Sequence, residues 1–234
     1  DVLEATLGQL HTEKTAVPGV GDLPFTGGLV GYLSYDIVRN WEKIGDSTHD
    51  SLNIPDLSFL LTSDLAVVDH LTSTVTLIAN AINFDNLPER VDQAYADSVA
   101  RLGQMQQSIS HFTPSGAVAI AESDPHMQLP SRATSEGSYL ANVDTIKEYI
   151  LRGDAFQVVL SQRFCVPTTA SALSIYRILR STNPSPYMYL VRVPDPQDFS
   201  RVACEIVGSS PEALVTLRDR QVVVHPIAGT RGRS

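Results

Sequence analysis

Apolar residues recur at helical spacing in two long stretches of the chain. Over 86–107, Asn86-Leu87-Pro88 supplies a start with proline in the first turn, and Val91, Ala94, Tyr95, Leu102 and Met105 fall on one side. Over 138–152, Tyr139, Leu140, Val143, Ile146, Tyr149 and Ile150 do the same, and Gly153 follows where a helix-ending glycine belongs. A third helix is predicted over 171–182, stopped by Asn183-Pro184, because the residue before a proline avoids the helical region. A short helix over 36–44 takes Asp36 as its N-cap. Apolar and β-branched runs predict strands at 29–35, 57–69, 74–81, 156–166, 187–193, 202–207, 213–217 and 221–227. The polar stretch 70–73 makes 57–69 and 74–81 a hairpin with a four-residue loop. Along 156–166, Phe156, Val158, Leu160 and Phe164 face one way, and Gln157, Val159, Ser161 and Arg163 the other. Helices and strands mix without strict βαβ alternation, which predicts an α+β fold.

Between 108 and 135 the pattern dissolves into Ser, Pro, Gly and acidic residues. That is longer than the ~12 to 15 residues usual for a loop inside one domain. The chain is therefore divided into an N-terminal α+β portion (1–107), a linker or crossing segment (108–135) and a second portion (136–234).

Composition narrows the function classes. The 234 residues are 43% hydrophobic and 18% charged, with 17 Lys and Arg against 26 Asp and Glu, a net charge of −9. This is the balance of a chain that buries a core. Without a basic stripe, a phosphate-backbone ligand is disfavoured, so no nucleic-acid partner is expected. The longest apolar runs fall short of the ~20 residues of a membrane helix, and no leader is visible, so a cytoplasmic location is expected. Cys165 and Cys204 sit in apolar runs and are expected to be buried free thiols rather than a disulfide framework.

Generic motifs give little. The six histidines, at 11, 49, 70, 112, 126 and 225, have no partner at metal-ligand spacing. No Walker-type phosphate loop or dinucleotide fingerprint occurs. Gly208-Ser209-Ser210-Pro211-Glu212 lacks the glycine spacing of a nucleophile elbow. Two segments look over-specified for folding alone. Asn183-Pro184-Ser185-Pro186-Tyr187-Met188 is either a rigid loop that packs its Tyr and Met inward, or a preformed loop presenting a ligand pocket. Pro226-Ile227-Ala228-Gly229-Thr230-Arg231 is either a strand-ending turn or an anion cradle built from glycine N–H groups and a Thr hydroxyl.

Read in order, five stretches resemble the anthranilate synthase component I family of chorismate-utilising enzymes. They are Phe25-Thr26-Gly27-Gly28-Leu29-Val30-Gly31-Tyr32 with Tyr35-Asp36, Gly153 to Phe164 (GDAFQVVLSQRF), Asn183 to Met188 (NPSPYM), Val207 to Glu212 (VGSSPE) and His225 to Arg231 (HPIAGTR). The resemblance implies a two-layer antiparallel β sandwich flanked by helices. It implies a Mg2+-dependent lyase that converts chorismate and ammonia to anthranilate and pyruvate in tryptophan biosynthesis. A partner glutamine amidotransferase subunit would supply the ammonia in a hetero-oligomer, with tryptophan as feedback inhibitor. By the same resemblance Pro186, Tyr187 and Met188 line the tryptophan site, and Gly229 and Thr230 contact chorismate. Glu212 is a further chorismate-pocket candidate, the alternative being that its carboxylate caps the turn around it.

Two positions bear on the subfamily. Relatives that add water carry Lys where Gln157 stands, and the enzyme making aminodeoxychorismate carries a nucleophilic Lys where Ala228 stands. Neither Gln157 nor Ala228 can deprotonate water or attack carbon, which favours ammonia as nucleophile and anthranilate as product. Aminodeoxychorismate synthase component I, and a truncated non-catalytic tryptophan-binding module, are the alternatives. Family members run to about twice this length, the scale of two domains. Their N-terminal Leu-Leu-Glu-Ser segment is not found here, and their catalytic and Mg2+-binding residues lie beyond Thr230. The expectation is a chain incomplete at both ends, with 136–234 the first part of the chorismate-binding portion. No catalytic or metal-binding residue is assigned within it, and the isolated 234-residue chain is expected to be inactive.

Overall fold

The computed structural model of the chain describes residues 2–10, 23–111, 130–218 and 220–226. Among these described residues four α-helices and ten strands mix, and the fold is α+β. The chain forms two units, one of Asp1–Gly116 with Val191–Cys204 and the other of Ala117–Leu190 with Glu205–Ser234. Among the described residues the strands form five two-stranded ribbons.

The first unit opens with α1 (Val2–Gln9) and β1 (Gly28–Leu33). β1 pairs antiparallel with β2 (Leu57–Thr62), Gly28 opposite Thr62 and Leu33 opposite Leu57. The strands approach so closely at Gly31 that a Cβ there would overlap the Ser58 backbone, which explains the glycine inside an apolar strand. β3 (Asp64–Asp69) and β4 (Thr74–Ala79) form the expected hairpin with its four-residue loop. The run 57–69 is thus two strands rather than one. It breaks at Ser63, whose carbonyl leaves the ladder to accept the Asn80 backbone N–H at 2.8 Å and Asn80 Nδ2 at 3.1 Å.

The predicted helix at 36–44 is a 3-10 helix over Tyr35–Asn40, and Asp36 is not its cap. Ser34 occupies the cap position, with its hydroxyl turned to Asp56 at 2.8 Å, while Asp36 lies inside the first turn and accepts Arg39 Nε at 3.0 Å. The 91–105 pattern gives α2 (Val91–Ser110), preceded by a 3-10 turn over Pro88–Arg90. One guanidinium docks α2 on the β3–β4 hairpin: Arg101 bonds Asp97 at 2.8 Å, Asp64, and the Asn80 carbonyl at 2.8 Å. Within α2, Ser98 is buried at 6% exposure, with its hydroxyl on the Tyr95 carbonyl.

The second unit contains α3 (Glu136–Arg152) and α4 (Ala172–Thr182). Ser135 and Ser171 cap them, each accepting the N–H three residues on, from Ser138 and Ser174, at 3.2 Å. Gly153, at φ 81°, closes α3 in the left-handed conformation that a side chain would disfavour. The strand predicted over 156–166 shrinks to Phe164–Cys165, which pairs with Ser131–Arg132. Periodicity marks a segment as able to be a strand, but a ladder needs a neighbour, and only this end has one among the described residues. Gln162 holds the segment instead: its side-chain amide accepts the Thr134 N–H at 3.1 Å and donates to the Thr134 carbonyl at 2.6 Å, mimicking a strand pair. The Cys165 thiol is exposed there, and only Cys204 is partly buried, which corrects the expectation of two buried thiols.

Tyr187–Asp195 and Asp198–Ser210 pair across a two-residue turn, Pro196-Gln197. Val193, at 1% exposure, is the fully buried apolar side chain among the described residues. Thr216–Arg218 pairs antiparallel with Gln221–Val223, shorter than the predicted 213–217 and 221–227.

Candidate functional site

Two of the segments singled out in the sequence meet in the second unit. Helix α4 ends at Asn183, whose N–H still reaches the Leu179 carbonyl at 2.8 Å. Pro184 stops the helix and Pro186 leads into the strand that begins at Tyr187. At the far end of the paired strand stand Gly208, Ser209 and Ser210. Ser209 Oγ donates to the Asn183 carbonyl at 2.8 Å and is also hydrogen-bonded to the Ser185 hydroxyl at 2.9 Å. The Asn183–Met188 turn and the Gly208–Glu212 turn are therefore tied together side by side.

The turn presents its side chains unequally. Tyr187, at 45% exposure, and Pro186 lie open, while Met188 is half-buried, as strand alternation requires. Tyr189 shares the face of Tyr187, and its ring lies against Gly208, where any Cβ would overlap it. Met188 is thus less exposed than Tyr187, whose ring is open.

Glu212 is half-buried beside this turn. Its carboxylate is not the cap of the Ser-Pro-Glu turn. The Ser210 hydroxyl does that work, donating to the Glu212 carbonyl at 3.0 Å and lying 3.5 Å from the Glu212 N–H. Among the described residues no hydrogen bond or ion pair reaches the Glu212 carboxylate. Gln157 is exposed in the irregular stretch before Phe164. Ala228, Gly229 and Thr230 lie outside the described residues.

Among the described residues no group of three or more His, Cys, Asp and Glu side chains could hold a metal ion. No described helix is long and apolar enough to cross a membrane. Clefts of about 290 and 440 Å³ open in the first unit near Asn83 and Asn86, and none of the expected site residues lines them.

Sequence reasoning missed Ser209. The signal was the double serine before Pro211, one hydroxyl turned back to each Ser-Pro turn, but nothing in the sequence says which partner each finds.

A model of the chorismate binding enzyme family matches residues 3–234. The chain belongs to that family. Within the chorismate-binding enzymes it is similar to a protein named anthranilate synthase component 1 from Mycolicibacterium smegmatis, at 47% identity over the whole of this chain. A protein of the same name from Arthrobacter globiformis is 45% identical, again over the whole chain. The chain spans 43% of the length of each of these curated relatives. The crystal structure of anthranilate synthase component I from Streptococcus pneumoniae TIGR4 shares its fold, with TM-score 0.70 and 28% identity over 94% of this chain and 45% of that one.

Proposed function

We propose that this chain is part of the large component of an anthranilate synthase, which converts chorismate and ammonia to anthranilate and pyruvate in tryptophan biosynthesis. The observation that carries the reading is the 47% identity, over the entire chain, to a protein of that name. Gln157 and Ala228 support it chemically. Neither can act as the lysine that a water-adding or covalent relative would use, so ammonia remains the nucleophile.

In this reading tryptophan is the feedback inhibitor and binds at Pro186, Tyr187 and Met188. The open Tyr187 ring and the two prolines, which limit the turn's freedom, suit a preformed site for an aromatic amino acid. Gly229 and Thr230 contact chorismate, with the Glu212 carboxylate as a further pocket group. The ammonia comes from a glutamine amidotransferase subunit, Mg2+ is held by residues beyond 234, and the enzyme works in the cytoplasm. Residues 1–107 form an N-terminal portion, 108–135 a crossing segment, and 136–234 the beginning of the catalytic portion.

The test takes the full-length protein that carries this chain. Given chorismate, ammonium and Mg2+, it is expected to produce the fluorescence of anthranilate, with pyruvate in equal amount. Accumulation of aminodeoxychorismate without pyruvate would overturn the reading in favour of the sister enzyme. The 234-residue chain alone is expected to give neither product.

A further inference from the structure

We propose that Ser209 is a positioning residue for the effector turn, acting on tryptophan through the turn without touching it. This rests on the reading that Pro186, Tyr187 and Met188 hold tryptophan.

The turn has few means of holding itself. Pro184 and Pro186 have no N–H to donate, so two of its backbone positions make no hydrogen bond as donors. Helix α4 supports it only as far as the Asn183 N–H. Across the next two residues the support comes from the opposite strand: the Ser209 hydroxyl grips the Asn183 carbonyl at 2.8 Å and the Ser185 hydroxyl at 2.9 Å, one on each side of Pro184. Ser185 and Ser209 are both half-buried, where a hydroxyl without a partner is costly. The Tyr189 ring, packed against Gly208, steadies the residue just before Ser209.

A turn held in its binding shape loses less freedom when a ligand arrives. Removing the hydroxyl therefore weakens the ligand that uses the turn. The Ser-Pro-Glu turn beside it is closed by Ser210, so the Glu212 carboxylate keeps its place when Ser209 is changed.

Calorimetry with tryptophan, and kinetics with chorismate and ammonium, should be run on the full-length wild type and on Ser209→Ala, Ser209→Thr and Ser185→Ala. Ser209→Ala is expected to weaken tryptophan binding about tenfold, the scale of one lost hydrogen bond. The inhibitory tryptophan concentration should rise in parallel, while kcat and the chorismate KM without tryptophan stay within about twofold. Ser209→Thr keeps the hydroxyl and is expected to restore binding, and Ser185→Ala to weaken it less. Tryptophan affinity within about twofold of wild type in Ser209→Ala, or an equal loss of kcat, would overturn the proposal. If Ser209→Ala does not fold, Ser185→Ala decides by the same two criteria. A wild type that binds no tryptophan would instead sink the tryptophan reading itself, and this inference with it.

Discussion

The Tyr189 ring occupies the space a side chain at Gly208 would need. The two residues lie on the strand pair that carries the candidate effector turn at one end. The glycine in Val-Gly-Ser-Ser-Pro-Glu is thus explained by close packing, and its counterpart is Tyr189, two residues after the open Tyr187. Gly208→Ala is expected to cost about 1 kcal/mol, the low end of the overpacking range, because the half-exposed Tyr189 ring can swing aside. A urea denaturation midpoint would show it. Tyr189→Ala in the same chain should relieve part of that loss, and strict additivity of the two changes would contradict the packing account.

The serine caps of α3 and α4 make independent contributions. Ser135→Ala and Ser171→Ala each remove the acceptor for one helix N–H, at 3.2 Å in both cases. Each is expected to lower stability by about 1 kcal/mol. The double variant should lose the sum, because the two caps share no partner. Thermal melts of the two single variants and the double variant give the comparison.

The two cysteines should separate by reactivity. Cys165 is exposed, whereas burial pushes the Cys204 thiol up and keeps it protonated to higher pH. Alkylation followed by mass spectrometry is expected to label Cys165 first, with Cys204 gaining label only as the pH is raised. Equal rates at neutral pH would show that Cys204 is not shielded.

The β3–β4 loop should respond to acid. The Thr72 hydroxyl, followed by the Leu71 and Thr72 N–H groups, holds the Asp69 carboxyl below its ordinary value. A depressed folded value means that the stabilisation is fully present above the unfolded pKa of about 3.9 and is lost as pH falls through the lower folded value. An NMR titration should show the Leu71 amide shifting below about pH 4. Thr72→Val removes the largest cause and should move that midpoint upward, while Asp69→Ala should abolish the step.

Much of the helical framework was legible because its signals are local. An apolar stripe and a terminal glycine or proline lie within one segment, and 138–152 and 171–182 carried them, whereas the capping roles of Ser135 and Ser171 were not predicted. The hairpin with its loop at 70–73 was legible for the same reason. Strands that need a distant neighbour were not. The run 57–69 gave no sign that its first half would pair with β1 and its second with β4, and 156–163 alternates like a strand without forming one.

The site divides in the same way. Sequence alone determined the motifs and placed Gln157 and Ala228, neither of them a lysine, within them. Only the tertiary structure decided that Ser209 reaches back to Asn183 and Ser185, 26 and 24 residues earlier in the chain, and that Ser210 rather than Glu212 closes its turn. A hydroxyl's partner is chosen by which acceptor folding brings within about 3 Å. Residue type states what a side chain can bond; the pairing of two distant strands settles what it does bond.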